Sequence, residues 1–243
     1  MKGYVKEVPN PEIVSSEVAE TNITTGGYLT MGIASDGKTY FCGNNGRGIK
    51  VLNKDTGQIE GTNVVSGTYW AVVIASDGRT YFCSDSHGIM VLNRDTGEIE
   101  DTNITTGRYN AMGIASNGKT YVSSQNSGIK VLDDDTGEIE YTNITTGSYW
   151  SVGIASNDKT YFCSLQYGIK VLDDDTGVIE DTNITTGTYD AMGIASNDRT
   201  YFCGNNGIKI LNNATGEIED TNITEGTYSL IGSFGGDVKS MLH

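Results

Sequence analysis

The residues of this chain with chemistry to offer are two histidines, four cysteines, two tryptophans and several short runs of aspartate. A serine–histidine–aspartate nucleophile would have to be built on His87, because the other histidine, His243, is the final residue. A polar loop residue is the simpler reading of His87. The cysteines, Cys42, Cys83, Cys163 and Cys203, have none of the close spacings that hold zinc. The stretch Asp133-Asp134-Asp135-Thr136-Gly137-Glu138 resembles part of a calcium loop but lacks its full ligand spacing. Its counterpart near the end of the chain, Asn212-Asn213-Ala214-Thr215-Gly216, has lost the acids. No catalytic residue, metal or cofactor is therefore expected. What remains is recognition chemistry: indoles that stack, guanidinium groups that pair with anions, and amides and carboxylates that orient a ligand.

These residues are set in a repeat. A unit that opens T-N-I-T-T-G-x-Y and closes D-T-G-E-I-E starts near 21, 62, 102, 142, 182 and 221. Four short strands in about forty residues is the period of a propeller blade. In the third copy the expected strands are A over Tyr109–Ala115, B over Thr120–Ser124, C over Gly128–Asp133 and D over Glu138–Ile144. Asn117-Gly118 is expected to turn A into B as a two-residue hairpin, and Asp135–Gly137 to turn C into D.

The fold class expected is all-β: a single-domain, six-bladed β-propeller over 1–243. Five blades are complete. The sixth is composite, made of 221–243 together with 1–20. Tyr228–Phe234 and Val238–Leu242 would supply its strands A and B, and Gly3–Val8 and Glu12–Val18 its strands C and D. Such closure pairs strands that would otherwise be open edges. A five-bladed ring with frayed ends is the alternative; an open solenoid would need capping units that are not seen. The four cysteines fall on equivalent strands of different blades. Packed sheets lie about 10 Å apart, beyond the roughly 7 Å a disulfide spans between Cα atoms. They read as small buried thiols, which fits a reducing, cytoplasmic setting.

Gly113-Ile114-Ala115-Ser116-Asn117-Gly118-Lys119-Thr120-Tyr121-Val122, followed by Gly128-Ile129-Lys130-Val131-Leu132-Asp133, resembles the repeats of NHL and YVTN propellers. The resemblance runs over most of the chain. It implies the fold and says little of function. The NHL propellers that bind RNA do so through a basic face, which this acidic chain lacks. Six-bladed lactonases hold calcium in the channel with several acids and amides, and here only Asp190 and Asn110 vary in that way.

Positions that build a blade should recur in every copy, whereas positions that touch an asymmetric ligand have reason to differ. The turns of one face, A to B and C to D, barely change. The opposite, top face carries the variation. After the recurrent tyrosine come Leu29, Trp70, Asn110, Trp150, Asp190 and Ser229; before it come Gly27, Thr68, Arg108, Ser148, Thr188 and Thr227. The B-to-C loops vary too, with Arg47 in the first, Asp85 and His87 in the second, Gln125 in the third and Tyr167 in the fourth. Unconstrained drift would favour Ser, Asn, Asp and Gly; two tryptophans are costly to expose and are expected to cover something. Tyr28, Tyr69, Tyr109, Tyr149, Tyr189 and Tyr228 would ring the channel mouth, either as packing between blades or as pocket lining.

The net charge of −15 works against nucleic-acid polymers and anionic membranes. No apolar run is long enough to cross a bilayer, and Met1–Glu20 has no secretory apolar core. The sequons at Asn22, Asn103, Asn143, Asn183 and Asn222 recur with the blade and read as structure. The function expected is non-enzymatic binding of a small ligand, anionic and nucleotide- or sugar-like, by a monomer. Trp70 and Trp150 would stack, and Arg47 and Arg108 would meet the charge. Asp85, Asn110, Gln125 and Asp190 would orient the ligand. A protein-interaction platform on the same face is the alternative, and a hydrolase or lyase using His87 or Asp190 the remoter one.

Overall fold

The computed structural model describes residues 27–195 and 197–228. Within them lie twenty strands and no helix. The first blade is β1 (Tyr28–Ile33), β2 (Thr39–Gly43), β3 (Ile49–Leu52) and β4 (Ile59–Gly61). The second is β5 (Tyr69–Ile74), β6 (Thr80–Ser84), β7 (Ile89–Leu92) and β8 (Ile99–Asp101). The third is β9 (Tyr109–Ile114), β10 (Thr120–Ser124), β11 (Ile129–Leu132) and β12 (Ile139–Tyr141). The fourth is β13 (Tyr149–Ile154), β14 (Thr160–Ser164), β15 (Ile169–Leu172) and β16 (Ile179–Asp181). The fifth is β17 (Ala191–Ile194), β18 (Thr200–Gly204), β19 (Gly207–Leu211) and β20 (Ile218–Asp220). Each blade is an antiparallel four-stranded meander, and the first strands of successive blades lie side by side. The proposed composite blade lies outside the described residues, apart from its opening at 221–228.

Two details depart from the expected strands, each for a local reason. Strand D stops at Tyr141 because the Thr142 hydroxyl takes over: it donates to Ile129 O (2.7 Å) and accepts from Ile144 N–H (3.1 Å). The A-to-B turn is wider than a two-residue hairpin. Ala115 N–H donates to Lys119 O (2.8 Å) and Gly118 N–H to Ala115 O (2.9 Å), and only Gly118 of the pair has positive φ, at 81°. Asp158 and Asp198 hold the same left-handed position in the next two blades, at φ 61° and 56°. Aspartate tolerates that region better than most side chains.

The core lies between blades, where apolar faces meet. Tyr40, Tyr121 and Tyr161 each meet a phenylalanine of the following blade edge-on, Phe82, Phe162 and Phe202, with ring centres 5.4–5.6 Å apart. These rings are buried almost completely, and such pairs add about 0.5–1.5 kcal/mol beyond the area they bury. Polar clasps align the blades. Ser76, Ser116 and Ser156 donate their backbone N–H to the threonine hydroxyl opening strand B of the next blade, Thr120, Thr160 and Thr200, at 2.7 Å. Asn63, Asn103, Asn143 and Asn183 reach one blade on with the side-chain amide. Asn143, for example, donates to Ile179 O (2.8 Å) and accepts from Ile179 N–H (2.9 Å). Asn63 makes the clasp although Val64-Val65 breaks its sequon, so the recurring requirement is the amide.

Candidate functional site

The residue after the recurrent tyrosine has a special backbone setting. In the second blade Tyr69 pairs with Ser84 and Ala71 with Cys83, so Trp70 is an extra residue bulged out of the ladder. The same shift isolates Leu29, Asn110 and Trp150 in their blades. In the fifth blade Asp190 holds this position just ahead of β17, its N–H donating to Cys203 O (3.1 Å). A bulge bends the strand and re-aims a side chain. Here it does so on the first strand of the first four blades, where the residue types change.

The two variable sets named from the sequence are joined by hydrogen bonds. Asp85 N–H donates to Thr68 O (2.9 Å), Gln125 N–H to Arg108 O (3.0 Å) and Leu165 N–H to Ser148 O (3.1 Å). Each B-to-C loop is thereby tied beside the bulge of its own blade. Arg108 then crosses to the second blade, where its guanidinium forms an ion pair with the Asp85 carboxylate. Trp70, Asp85, Arg108, Asn110 and Gln125 form one connected rim segment, flanked by Trp150 and, one blade further, Asp190. Ser148 was not singled out as a site residue, yet its hydroxyl accepts the Trp150 indole N–H (3.2 Å). Its place in the variable set just before the tyrosine is the signal that could have marked it.

Enclosed side-chain polar atoms without a hydrogen-bond partner are few among the described residues, and they concentrate here. Trp70 Nε1, Asn110 Nδ2, Gln125 Oε1 and Asp190 Oδ1 are all in this state. Two others are accounted for. Asp85 Oδ1 meets Arg108 as an ion pair rather than an aligned hydrogen bond. Lys130 Nζ lies 3.2 Å from the centre of the Tyr141 ring, an attraction between ammonium and π face. Leaving a buried donor or acceptor unmet costs about 1–3 kcal/mol, so four such atoms along one rim call for a reason. Burial raises the Asp190 carboxyl above its ordinary pKa, partly offset by a bond from its own backbone N–H.

Other predicted site residues are placed elsewhere. Tyr69, Tyr109, Tyr149 and Tyr189 are 1–3% exposed and pack in the core between blades. Their rings therefore offer no lining surface, which corrects the pocket-lining reading in favour of packing. Burial pushes the hydroxyls of Tyr69, Tyr109 and Tyr149 up to about 12. Tyr28 and Tyr228 are half-buried at the two ends of the described arc. His87 stacks on Tyr69 (centres 6.3 Å, 20° between planes) and its Nδ1 meets the Ser86 hydroxyl at 3.1 Å, an exposed pair that is not a catalytic triad. Tyr167 is 44% exposed and leans over Gly147. That glycine has φ 102°, and a Cβ there would come within 2.9 Å of the Tyr167 ring. Arg47 is exposed in its loop.

The thiols of all four cysteines are buried and unpaired; burial pushes Cys42 up to about 12 and Cys203 to about 11. The aspartate turn is self-satisfied, since Asp133 Oδ1 accepts from Asp135 N–H (3.0 Å) and Thr136 N–H (2.9 Å). Among the described residues no group of three acids, histidines or cysteines could hold a metal. Two grooves lie toward the opposite face. One of about 360 Å³ runs between Tyr141 of the third blade and Asp174–Gly177 of the fourth. The other, about 470 Å³, lies on the fifth blade over Asn197, Arg199 and Asn213.

No protein-family model matches this chain, and no curated protein matches it in sequence. Solved structures do resemble it. Virginiamycin B lyase from Staphylococcus aureus is 20% identical with a TM-score of 0.62, over 82% of this chain and 71% of the lyase. The extracellular domain of a hybrid two-component system from B. thetaiotaomicron is 13% identical with a TM-score of 0.58, over 80% of this chain but 27% of that one. The computationally designed Ika8 protein is 16% identical with a TM-score of 0.62, over 85% and 65% of the two chains. At such identity the likeness establishes the β-propeller fold, and no activity comes with it.

Proposed function

We propose that this β-propeller is a non-enzymatic binding protein that takes a small organic molecule on the top face, at the channel mouth. The observation that carries this reading is the row of enclosed, unpartnered polar atoms on Trp70, Asn110, Gln125 and Asp190. A ligand that draws these partly exposed side chains round to meet it recovers the cost of leaving their enclosed atoms unpaired. Two partly exposed indoles, Trp70 within the segment and Trp150 beside it, offer flat apolar faces. The deeply buried thiols, and a His87 ring that stacks on Tyr69 and meets the Ser86 hydroxyl with no acid beside it among the described residues, favour binding over catalysis. Unpaired cysteines also favour a reducing, cytoplasmic setting.

The arc of five blades is proposed to close on a sixth, built from 221–243 and 1–20. Met31 on the outward side of the first blade is 67% exposed, whereas Met112 at the matching position is 7% exposed. Asn222 carries the clasp amide with no partner among the described residues, while its four predecessors each hold the next blade. Both observations support a further blade between the ends of the arc.

Thermal shift across nucleotides, sugars, acids and amines, followed by native mass spectrometry, tests the binding reading. A ligand at a hundred times its Kd adds about 2.7 kcal/mol to stability. Trp70→Ala should weaken that ligand about ten- to hundredfold, the equivalent of about 1–3 kcal/mol of stacking. Unchanged affinity in Trp70→Ala would move the site off this rim.

A further inference from the structure

The charges on the rim do not fit the anionic ligand expected from the sequence. Arg108 is already paired with Asp85. Arg47 projects from the loop of the first blade, outside the connected segment. Asp190 makes no ion pair among the described residues, and its enclosed Oδ1 has no hydrogen-bond partner there apart from the bond its own backbone N–H offers the carboxyl. Counting Asp85, Arg108 and Asp190, the described rim of the second to fifth blades carries one net negative charge, with Arg47 standing apart on the first blade. A second acceptor, Gln125 Oε1, is also unmet, and so are two donors, Trp70 Nε1 and Asn110 Nδ2. The faces of two indoles attract cations through their ring quadrupoles. The chain as a whole, at −15, raises the local concentration of cations and lowers that of anions.

We infer that the rim selects an organic cation, an amine or guanidine, that also bears a hydrogen-bond acceptor such as a carbonyl or hydroxyl. The inference rests on the rim being the binding site. The cationic N–H groups would donate to Asp190 and Gln125. The acceptor would take the Trp70 indole N–H and the Asn110 amide, and the carbon frame would lie on the indoles. Asp190 and Trp70 belong to the fifth and second blades, so such a ligand would reach across the mouth rather than lie along one blade.

The experiment is calorimetric titration of the full chain with amino-acid amides, amino alcohols and agmatine. The N-acetylated neutral counterparts of the first two and a set of nucleoside monophosphates run alongside. At least one amine is expected to bind while its acetylated form does not. Asp190→Asn, which keeps the shape of the side chain, is expected to weaken that amine about ten- to hundredfold, as loss of a charge-assisted hydrogen bond does. Gln125→Ala should weaken it less, and Arg108→Ala, which frees the Asp85 carboxylate, should tighten it. If only nucleotides or other anions bind, with Trp70→Ala abolishing the signal, the cation inference is overturned and the binding site stands. If nothing binds, or binding ignores Trp70→Ala, both fail.

Discussion

On the lower face Ser76, Ser116 and Ser156 repeat the same contacts. Each backbone N–H reaches a threonine at 2.7 Å, and each hydroxyl reaches Asp134, Asp174 or Asn213 at 2.6–2.9 Å. On the upper face the corresponding series, Trp70, Asn110, Trp150 and Asp190, has no shared partner. One indole is bonded to Ser148, and three members hold an unmet polar atom. Each end repeats its own backbone geometry through the second, third and fourth blades, so the backbone does not explain why one series is uniform and the other varies. The difference is that the lower contacts satisfy themselves within the chain and the upper ones do not. A repeat under a purely structural constraint has reason to satisfy both ends.

The comparison breaks if the interior and the rim respond alike to substitution. The largest effect is expected in the interior. Phe162 is fully buried against Tyr121, and Phe162→Ala should cost about 3–5 kcal/mol in urea denaturation. It should leave the affinity of the remaining folded protein for a rim ligand intact, whereas Trp70→Ala should do the reverse. Matching losses of stability in both variants would erase the distinction.

The clasps come next and sharpen the comparison at its edge. Asn143→Ala leaves Ile179 N–H and C=O without their partner and should cost about 1–3 kcal/mol. Asn222→Ala reports on closure. With a sixth blade in place the loss should match that of Asn143→Ala; without one, a surface substitution of this kind stays within about 0.5 kcal/mol. Equilibrium unfolding of the two variants side by side separates the cases.

The sequence showed the blades clearly because repetition multiplies a weak signal. One D-T-G turn is a guess, but the same turn at a fixed spacing marks a strand boundary. It also located the variable rim position, since Trp70, Asn110, Trp150 and Asp190 stand out against an invariant frame. It could not show that this position is a bulge, because the extra residue is visible only when two strands are paired. Nor could it show that Arg108 spends its charge on Asp85. Those residues lie in different loops, and their meeting depends on how two blades stand beside each other. The tyrosine ring was ambiguous for a similar reason. A tyrosine near the channel and one turned between blades have the same sequence, and only burial separates them.

The smallest effect expected is also the one that ties the rim to function. Burial raises the Asp190 carboxyl, so folding favours its neutral form. Below the unfolded carboxyl's own pKa, Asp190 is uncharged in both states and folding pays no charge penalty. As pH rises through the raised folded value, the carboxyl ionises against that preference and stability falls. Asp190→Asn removes the penalty, so it should raise Tm at neutral pH, and the gain should vanish in acid. The rise should be smaller than either loss above, because solvent screens a half-exposed group. Scanning calorimetry of both proteins from acid to neutral pH measures it. A variant that is more stable without ligand, yet weaker in binding, is what a site held in readiness for a cation requires. A lower Tm at neutral pH would instead make Asp190 a structural residue and move it from the rim's side of the comparison to the blades'.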